Sequence, residues 1–235
     1  MLVAILLTTL LPLPALASDL PAGFVYLADV DPTIRQDMRY AGSDNFLGRP
    51  ADGYLAPECI LTEEAAKALS AVQKSVTAEG LSLIVFDCYR PARAVADFAA
   101  WVKAGGPPDA RWYPRTKRSR LIRDGYIASR SAHSRGSTVD LALVPTDPSR
   151  PAASDPDCGA NRSGTVDFGT GFDCLDKKSR TAFVPLAPEA IANRKTLVAA
   201  MQAQGFRNYS REWWHFSLNG EPFKREFDFP VESRN

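Results

Sequence analysis

Apolar positions along this 235-residue chain change their period several times, and each change marks an element. Thr62 suits a helix N-cap. After it Ala65, Leu69, Val72 and Val76 recur at steps of three and four until Gly80, which predicts an amphipathic helix. Leu81 to Phe86 is then an unbroken apolar run between that glycine and Asp87, the signature of a short buried strand. Pro91 fits the first turn of a second helix, with Val95, Phe98 and Val102 turned inward and Gly105-Gly106-Pro107-Pro108 as its stop. Val139 to Val144 reads as another buried strand. Glu189 to Gln204 sets Ile191, Leu197, Val198 and Met201 on one helical stripe ahead of Gly205, and Phe206 to Leu218 is aromatic and strand-like.

The stretches between these elements carry the turn formers. Residues 18 to 57 are rich in Pro, Gly and Asp around short apolar runs, which predicts extended segments and turns. Ala110 to Arg135 is basic and irregular. Pro145 to Pro188 reads as an ordered but mostly loop-like insertion, and loops of that length are commonly functional. No internal repeat, low-complexity tract or linker interrupts the chain. Helices mixed with non-alternating strands predict one α+β domain, a small antiparallel sheet with helices packed on one side.

Composition narrows the partners. Lys and Arg total 28 against 27 Asp and Glu, and a net charge of +1 gives no electrostatic reason to expect nucleic acid or an anionic membrane. The run Arg111 to Arg123, with Arg115, Lys117, Arg118 and Arg120, is the local exception and reads as a solvated loop or surface helix. Met1 to Ala17 is apolar, without charged side chains, and ends in the small-x-small pattern Ala15-Leu16-Ala17, as a cleaved signal peptide does. Pro12 and Pro14 interrupt it, so it falls short of the roughly 20 apolar residues of a transmembrane anchor. Residues 18 to 235 are then an exported domain, expected in the periplasm without a stable membrane anchor. Four cysteines suit an oxidising compartment and permit three pairings. Cys158 with Cys174, both in one loop-like stretch, together with Cys59 and Cys88, is the favoured one.

Only two histidines occur, and both fall near carboxylates. His133 lies in Ser131-Ala132-His133-Ser134-Arg135-Gly136-Ser137-Thr138-Val139-Asp140, where Gly136 can make a turn that brings the imidazole back toward Asp140. His215 closes Glu212-Trp213-Trp214-His215. Two imidazoles and one carboxylate form a three-ligand set that leaves one position of tetrahedral zinc open for water. Taken singly, His215 on an aromatic strand reads as a hydrogen-bonded core residue; H-x6-D and E-x-x-H together, with a carboxylate to spare, favour one zinc ion per chain. Glu212 can then take a proton from a zinc-acidified water and deliver it to the leaving amine. One geometric objection stands. In a regular strand Glu212 and His215 would point to opposite faces, so a bulge, a strong twist, or a strand starting after Glu212 is required.

These motifs, S-x-H-S-x-G-S-x-x-D, E-W-W-H and D-x-Y-R-P (Asp87-Cys88-Tyr89-Arg90-Pro91), resemble those of the D-alanyl-D-alanine dipeptidases of the vancomycin-resistance (VanX) type. Asp44-Asn45-Phe46, Gly48-Arg49-Pro50, Asp52-Gly53-Tyr54, Gly169-Thr170-Gly171-Phe172-Asp173 and Phe227-Asp228-Phe229-Pro230 extend the resemblance over about residues 24 to 231. It implies a D,D-peptidase (hedgehog-like) fold and zinc on His133, Asp140 and His215, with Glu212 as general base and acid. It further implies that Arg90 stabilises the developing oxyanion, that Asp173 and Ser131 hold the free ammonium group of a small D-amino-acid dipeptide, and that Tyr40 lines the pocket. The structural alternative for Arg90 is an ion pair at a helix start. Two departures stand out: Cys88, where a small residue is common beside the arginine, and a longer insertion over residues 147 to 165.

Two other functions compete with a dipeptidase. A zinc D,D-carboxypeptidase acting on peptidoglycan stems would use the same chemistry, but Asp173 selects a free amino terminus. A non-catalytic metal-binding or wall-associated module would need neither Glu212 nor Arg90. Serine-peptidase patterns such as S-x-x-K with K-T-G, and the H-E-x-x-H helix, are absent from the sequence. Oligomeric state is not legible.

Overall fold

In a computed structural model of the protein, the residues described are 20–147, 149, 154–160 and 163–234. The expected leader over residues 1–17 lies outside them. The order of elements is β1 (Phe24–Tyr26), the single turn α1 (Leu27–Val30), β2 (Arg35–Gln36), β3 (Ile60–Thr62), α2 (Glu63–Thr77), β4 (Leu81–Asp87), α3 (Ala92–Ala104), β5 (Thr138–Pro145), α4 (Pro188–Ala203), β6 (Phe206–Asn208) and β7 (His215–Leu218).

Five strands form the main sheet in the order β2-β4-β5-β7-β6. The pairs are antiparallel except at the edge, where the short β2 runs parallel to β4. β1 and β3 make a separate antiparallel pair. The central strands β4 and β5 are buried along nearly their whole length, which is why both read as continuous apolar runs rather than alternating ones. α2 lies on β4, α4 lies on β5 and β6, and the two helices touch each other, so they make one layer over the sheet. The domain is α+β, as expected.

Local chemistry accounts for the helix ends. Thr62 caps α2 by accepting from the Ala65 amide, and Ala65, Leu69, Val72 and Val76 are buried against the sheet. Each such leucine or valine contributes about 1.5–3 kcal/mol through burial. α3 begins one residue after Pro91 and ends at Gly105, whose φ of 66° lies in the left-handed region.

Two expectations need correction. The aromatic stretch from Phe206 to Leu218 is a hairpin of two short strands, because residues 209–214 leave the sheet in a turn. In α4 the buried stripe is Ala190, Arg194, Leu197 and Met201, whereas Ile191 and Val198 are only half-buried. Arg194 is buried because its guanidinium donates to the carbonyls of Phe168, Arg180 and Lys178 at 2.8, 2.6 and 3.0 Å. It thereby ties the loop over residues 168–180 to the helix layer.

The long insertion is held by more than that arginine. Disulfides join Cys158 to Cys174 and Cys59 to Cys88, the favoured pairing. The basic run is exposed at Arg111, Arg115, Lys117, Arg120 and Arg123, as a solvated loop would be, and it is also pinned: Arg111 pairs with Asp44, Arg115 with the buried Asp176, and the Arg118 guanidinium lies 3.6 Å from the Trp101 ring centre. Among the described residues, no helix is long and apolar enough to cross a membrane.

Candidate active site

His133 sits in a 3-10 turn, Ala132–Arg135, capped by the Ser131 hydroxyl, which accepts from the His133 amide at 3.3 Å. Gly136 closes the turn at a φ of 82°, and a Cβ there would stand 2.2 Å from the Phe24 ring, so glycine is required on two counts. β5 starts two residues later and carries Asp140 inward. Directly opposite Asp140 in the β5–β7 pair is His215, the first residue of its strand. Glu212 lies before that strand: its amide donates to the Tyr209 carbonyl at 2.9 Å, and the His215 amide donates to the Glu212 carbonyl at 3.4 Å. The E-x-x-H segment therefore spans a turn. The alternation that would separate the two side chains does not apply.

Trp213 and Trp214 anchor this turn. The Trp213 ring stacks on Phe168 with centroids 4.0 Å apart, its indole N–H donates to Thr170 Oγ1 at 2.9 Å, and Trp214 meets Phe172 edge-on at 5.5 Å. The same loop continues into Asp173, a non-glycine residue at a φ of 59°. Phe172, stacked on Phe86, and the bridged Cys174 hold Asp173 on either side. Backbone in so sparsely populated a region is a common mark of a functional position.

Three atoms converge. His133 Nε2 is 3.3 Å from Asp140 Oδ1, His215 Nδ1 is 3.0 Å from the same oxygen, and the two nitrogens are 3.2 Å apart. A regular tetrahedron with metal–ligand bonds of about 2.0–2.1 Å has edges of about 3.3 Å. Asp140 Oδ1 is buried and, despite the two imidazoles beside it, has no hydrogen bond of acceptable geometry among the described residues. His133 Nδ1 lies 2.7 Å from the Cys88 carbonyl, which can only accept. The proton is thus on Nδ1, and the Nε2 lone pair faces the common centre. Burial alone would raise the Asp140 carboxyl, but the imidazoles hold it well below the usual carboxylate range. The donor set and its spacing fit a divalent metal ion.

Around this centre is a cavity of about 350 Å³ that brings together all eight residues singled out in the sequence: Tyr40, Arg90, Ser131, His133, Asp140, Asp173, Glu212 and His215. Glu212 Oε2 is 3.6 Å from His215 Nδ1, and burial pushes the Glu212 carboxyl up to about 7. Tyr40 donates its hydroxyl to Asp173 Oδ2 at 2.7 Å. Burial drives the Asp173 carboxyl well above its ordinary range despite that bond.

Two residues of this site carry no assignment from the sequence. Asp87, fully buried at the end of β4, accepts from Arg90 Nε and Nη2 at 2.9 and 2.7 Å on one oxygen and from the Tyr54 hydroxyl at 2.6 Å on the other. Tyr54 in turn is buried beside Tyr40. The signal for Asp87 was its place three residues before Arg90; Tyr54 had none beyond its own motif. The Arg90 guanidinium also lies 5.1 and 5.0 Å from the ring centres of Tyr40 and Phe98, which pack on each other at 4.8 Å and form an aromatic wall beside it. Arg90 does pair with a carboxylate at a helix start, the structural alternative, yet it also lines the cavity.

A His-Asp-His cluster with a spare half-buried glutamate and a fixed arginine defines a metallopeptidase-type centre on an α+β domain. Residues 21–232 match the family described as D-ala-D-ala dipeptidase, and the chain belongs to that family. Its relatives include proteins named D-alanyl-D-alanine dipeptidase. The Enterococcus faecium protein is 36% identical over 89% of this chain and 98% of its own length, and the Streptomyces coelicolor protein is 37% identical over 88% and 98%. The Escherichia coli protein is 30% identical over 83% of each chain.

Proposed function

We propose that the protein is a zinc-dependent dipeptidase that hydrolyses D-Ala-D-Ala, with zinc held by His133 Nε2, Asp140 Oδ1 and His215 Nδ1. The observation that carries this reading is the triangle of donor atoms with edges of 3.0, 3.2 and 3.3 Å, one corner of which is a buried carboxylate oxygen with no hydrogen-bond partner among the described residues. When bound, zinc supplies Lewis acidity, which lowers the pKa of a coordinated water toward about 7 and polarises the scissile carbonyl.

The chain's own residues do the rest. Glu212, with a carboxyl pushed up to about 7, is suited both to accept a proton and to return it to the leaving amine near neutral pH. Arg90, immobilised by Asp87 and by the rings of Tyr40 and Phe98, presents a fixed positive charge to the oxygen on which negative charge develops. No reorganisation is needed at the moment of reaction. Asp173 stands buried, and the Tyr40 hydrogen bond and the Arg90 charge do not offset that burial, so a substrate ammonium ion beside it would restore its ionised form. The Ser131 hydroxyl oxygen, already accepting from the His133 amide, keeps a second lone pair with which to accept from that ammonium ion. A wall built to receive an ammonium ion selects a free amino terminus and so a dipeptide.

Relatives named for this activity over most of the chain support the substrate. Two disulfides support a working compartment that is oxidising, in keeping with export and the recycling of wall-derived dipeptides. The test is product analysis. Free D-Ala-D-Ala should be cleaved much faster than terminal D-Ala is released from a stem pentapeptide; comparable rates would make the protein a carboxypeptidase instead.

A further inference from the structure

His133 is held through its second nitrogen by a backbone carbonyl, and that carbonyl belongs to a disulfide-bonded residue. Nδ1 donates to the Cys88 carbonyl at 2.7 Å, and Cys88 is bridged to Cys59, 29 positions earlier. Both cysteines are completely buried. Cys59 is fixed on its own side as well: its amide donates to Gln36 Oε1 at 2.7 Å, and its carbonyl accepts from the Leu27 amide at 2.9 Å. Beside the bridge the Tyr89 amide donates to the Ile60 carbonyl at 2.9 Å, so the strand end bearing Cys88 is stitched to β3 by a covalent and a hydrogen bond.

Cys88 lies where β4 has just ended. The register of β4 against β5 shifts between Val85 and Asp87, so the regular sheet ladder no longer dictates where the next carbonyl points. Something else must aim it. The Cys88 amide is taken by its neighbour, Asp87 Oδ1, at 3.0 Å, which does not tie the peptide to another element. The bridge to Cys59 does, together with the Tyr89 amide of the peptide that carries this carbonyl, which donates to Ile60.

We infer that the Cys59–Cys88 disulfide is a positioning device for the metal centre: it fixes the carbonyl that sets the tautomer and ring orientation of His133, and so governs how tightly zinc is held. The inference rests on the zinc reading above and deepens it. Outer partners of metal-bound histidines are typically worth about 10- to 100-fold in metal affinity. A movable Cys88 carbonyl should forfeit part of that. Among the described residues no hydrogen bond joins the second bridge, Cys158–Cys174, to His133, Asp140 or His215, and it serves as an internal control.

The experiment compares the full chain, the Cys59→Ala/Cys88→Ala variant and the Cys158→Ala/Cys174→Ala variant. Zinc Kd is measured by chelator competition on apo protein whose fold is checked by near-ultraviolet circular dichroism. The visible spectrum of the cobalt(II)-substituted protein is recorded alongside, because it reports ligand geometry, which a merely stabilising crosslink would not alter. Loss of Cys59–Cys88 should raise zinc Kd about 10- to 100-fold and change the cobalt bands; loss of Cys158–Cys174 should do neither. If the first variant does not fold, zinc release to chelator is timed on the wild-type chain with the bridge closed and after reduction, and faster release on reduction is expected. A zinc Kd and cobalt spectrum like wild type in the folded variant, or unchanged release on reduction, would overturn this inference alone. A wild-type chain that takes up no zinc would overturn the metal reading and this inference together.

Discussion

Asp140 and His215 face each other across the β5–β7 pair, with Oδ1 and Nδ1 3.0 Å apart. Directly opposed residues of an antiparallel pair share a face, so the sheet register itself sets two of the three donors. A slip of one residue would send His215 to the opposite side. Asp140→Ala removes the oxygen common to both short contacts. We expect the variant to fold and to lose zinc on dialysis, measured as metal per chain by atomic absorption; full zinc occupancy would exclude Asp140 as a ligand.

Glu212 is placed by the turn before β7 rather than by the sheet, so its removal leaves the donor triangle untouched. Glu212→Ala should keep one zinc per chain while kcat on D-Ala-D-Ala drops by about 10²- to 10⁴-fold. Turnover equal to wild type would take Glu212 out of the reaction.

Arg90 is oriented by Asp87, which takes two of its N–H groups on a single oxygen. Arg90→Ala should lower kcat by about 100-fold or more, with a smaller change in KM, since the interaction grows as charge develops on the oxygen. A variant whose KM rises while kcat holds would mark Arg90 as a ground-state binder.

Asp173 stands in the same cavity, joined to Tyr40. Asp173→Ala should raise KM for the dipeptide by about 10- to 100-fold, the usual worth of a hydrogen bond to a charged group, and leave kcat within a few-fold. An N-acetylated dipeptide, which lacks the ammonium ion, should be a poor substrate for wild type and lose little further in the variant. Equal cleavage of free and acetylated dipeptide by wild type would remove the selection attributed to this residue.

Much of this was legible in the sequence because the period of the apolar residues follows burial. The α2 stripe from Ala65 to Val76, the buried strands β4 and β5, and the capping of α2 by Thr62 all obey local rules. What local rules miss is decided at long range. The half-buried Ile191 and Val198 read as core on the rule that a helix buries its apolar side chains, whereas Arg194 is buried by carbonyls that a distant loop brings to it. The break between β6 and β7 was hidden by Trp213 and Trp214, whose size suggests strand although they pack in a turn. His133 and Glu212 stood out through the scarcity of histidine and the nearby carboxylates. Asp87 and Tyr54 did not, since a buried aspartate that orients an arginine has no spacing rule beyond its three-residue offset.

The central claim is that one metal ion on His133, Asp140 and His215 makes this chain a dipeptidase. The measurement that tests it most directly is zinc content and D-Ala-D-Ala cleavage on one sample, before chelation, after it, and after zinc is restored. Zinc near one per chain, activity lost in step with the metal, and recovery on adding zinc back are the predicted results. Hydrolysis that persists in metal-free protein, or zinc-loaded protein that cleaves no dipeptide, would contradict it.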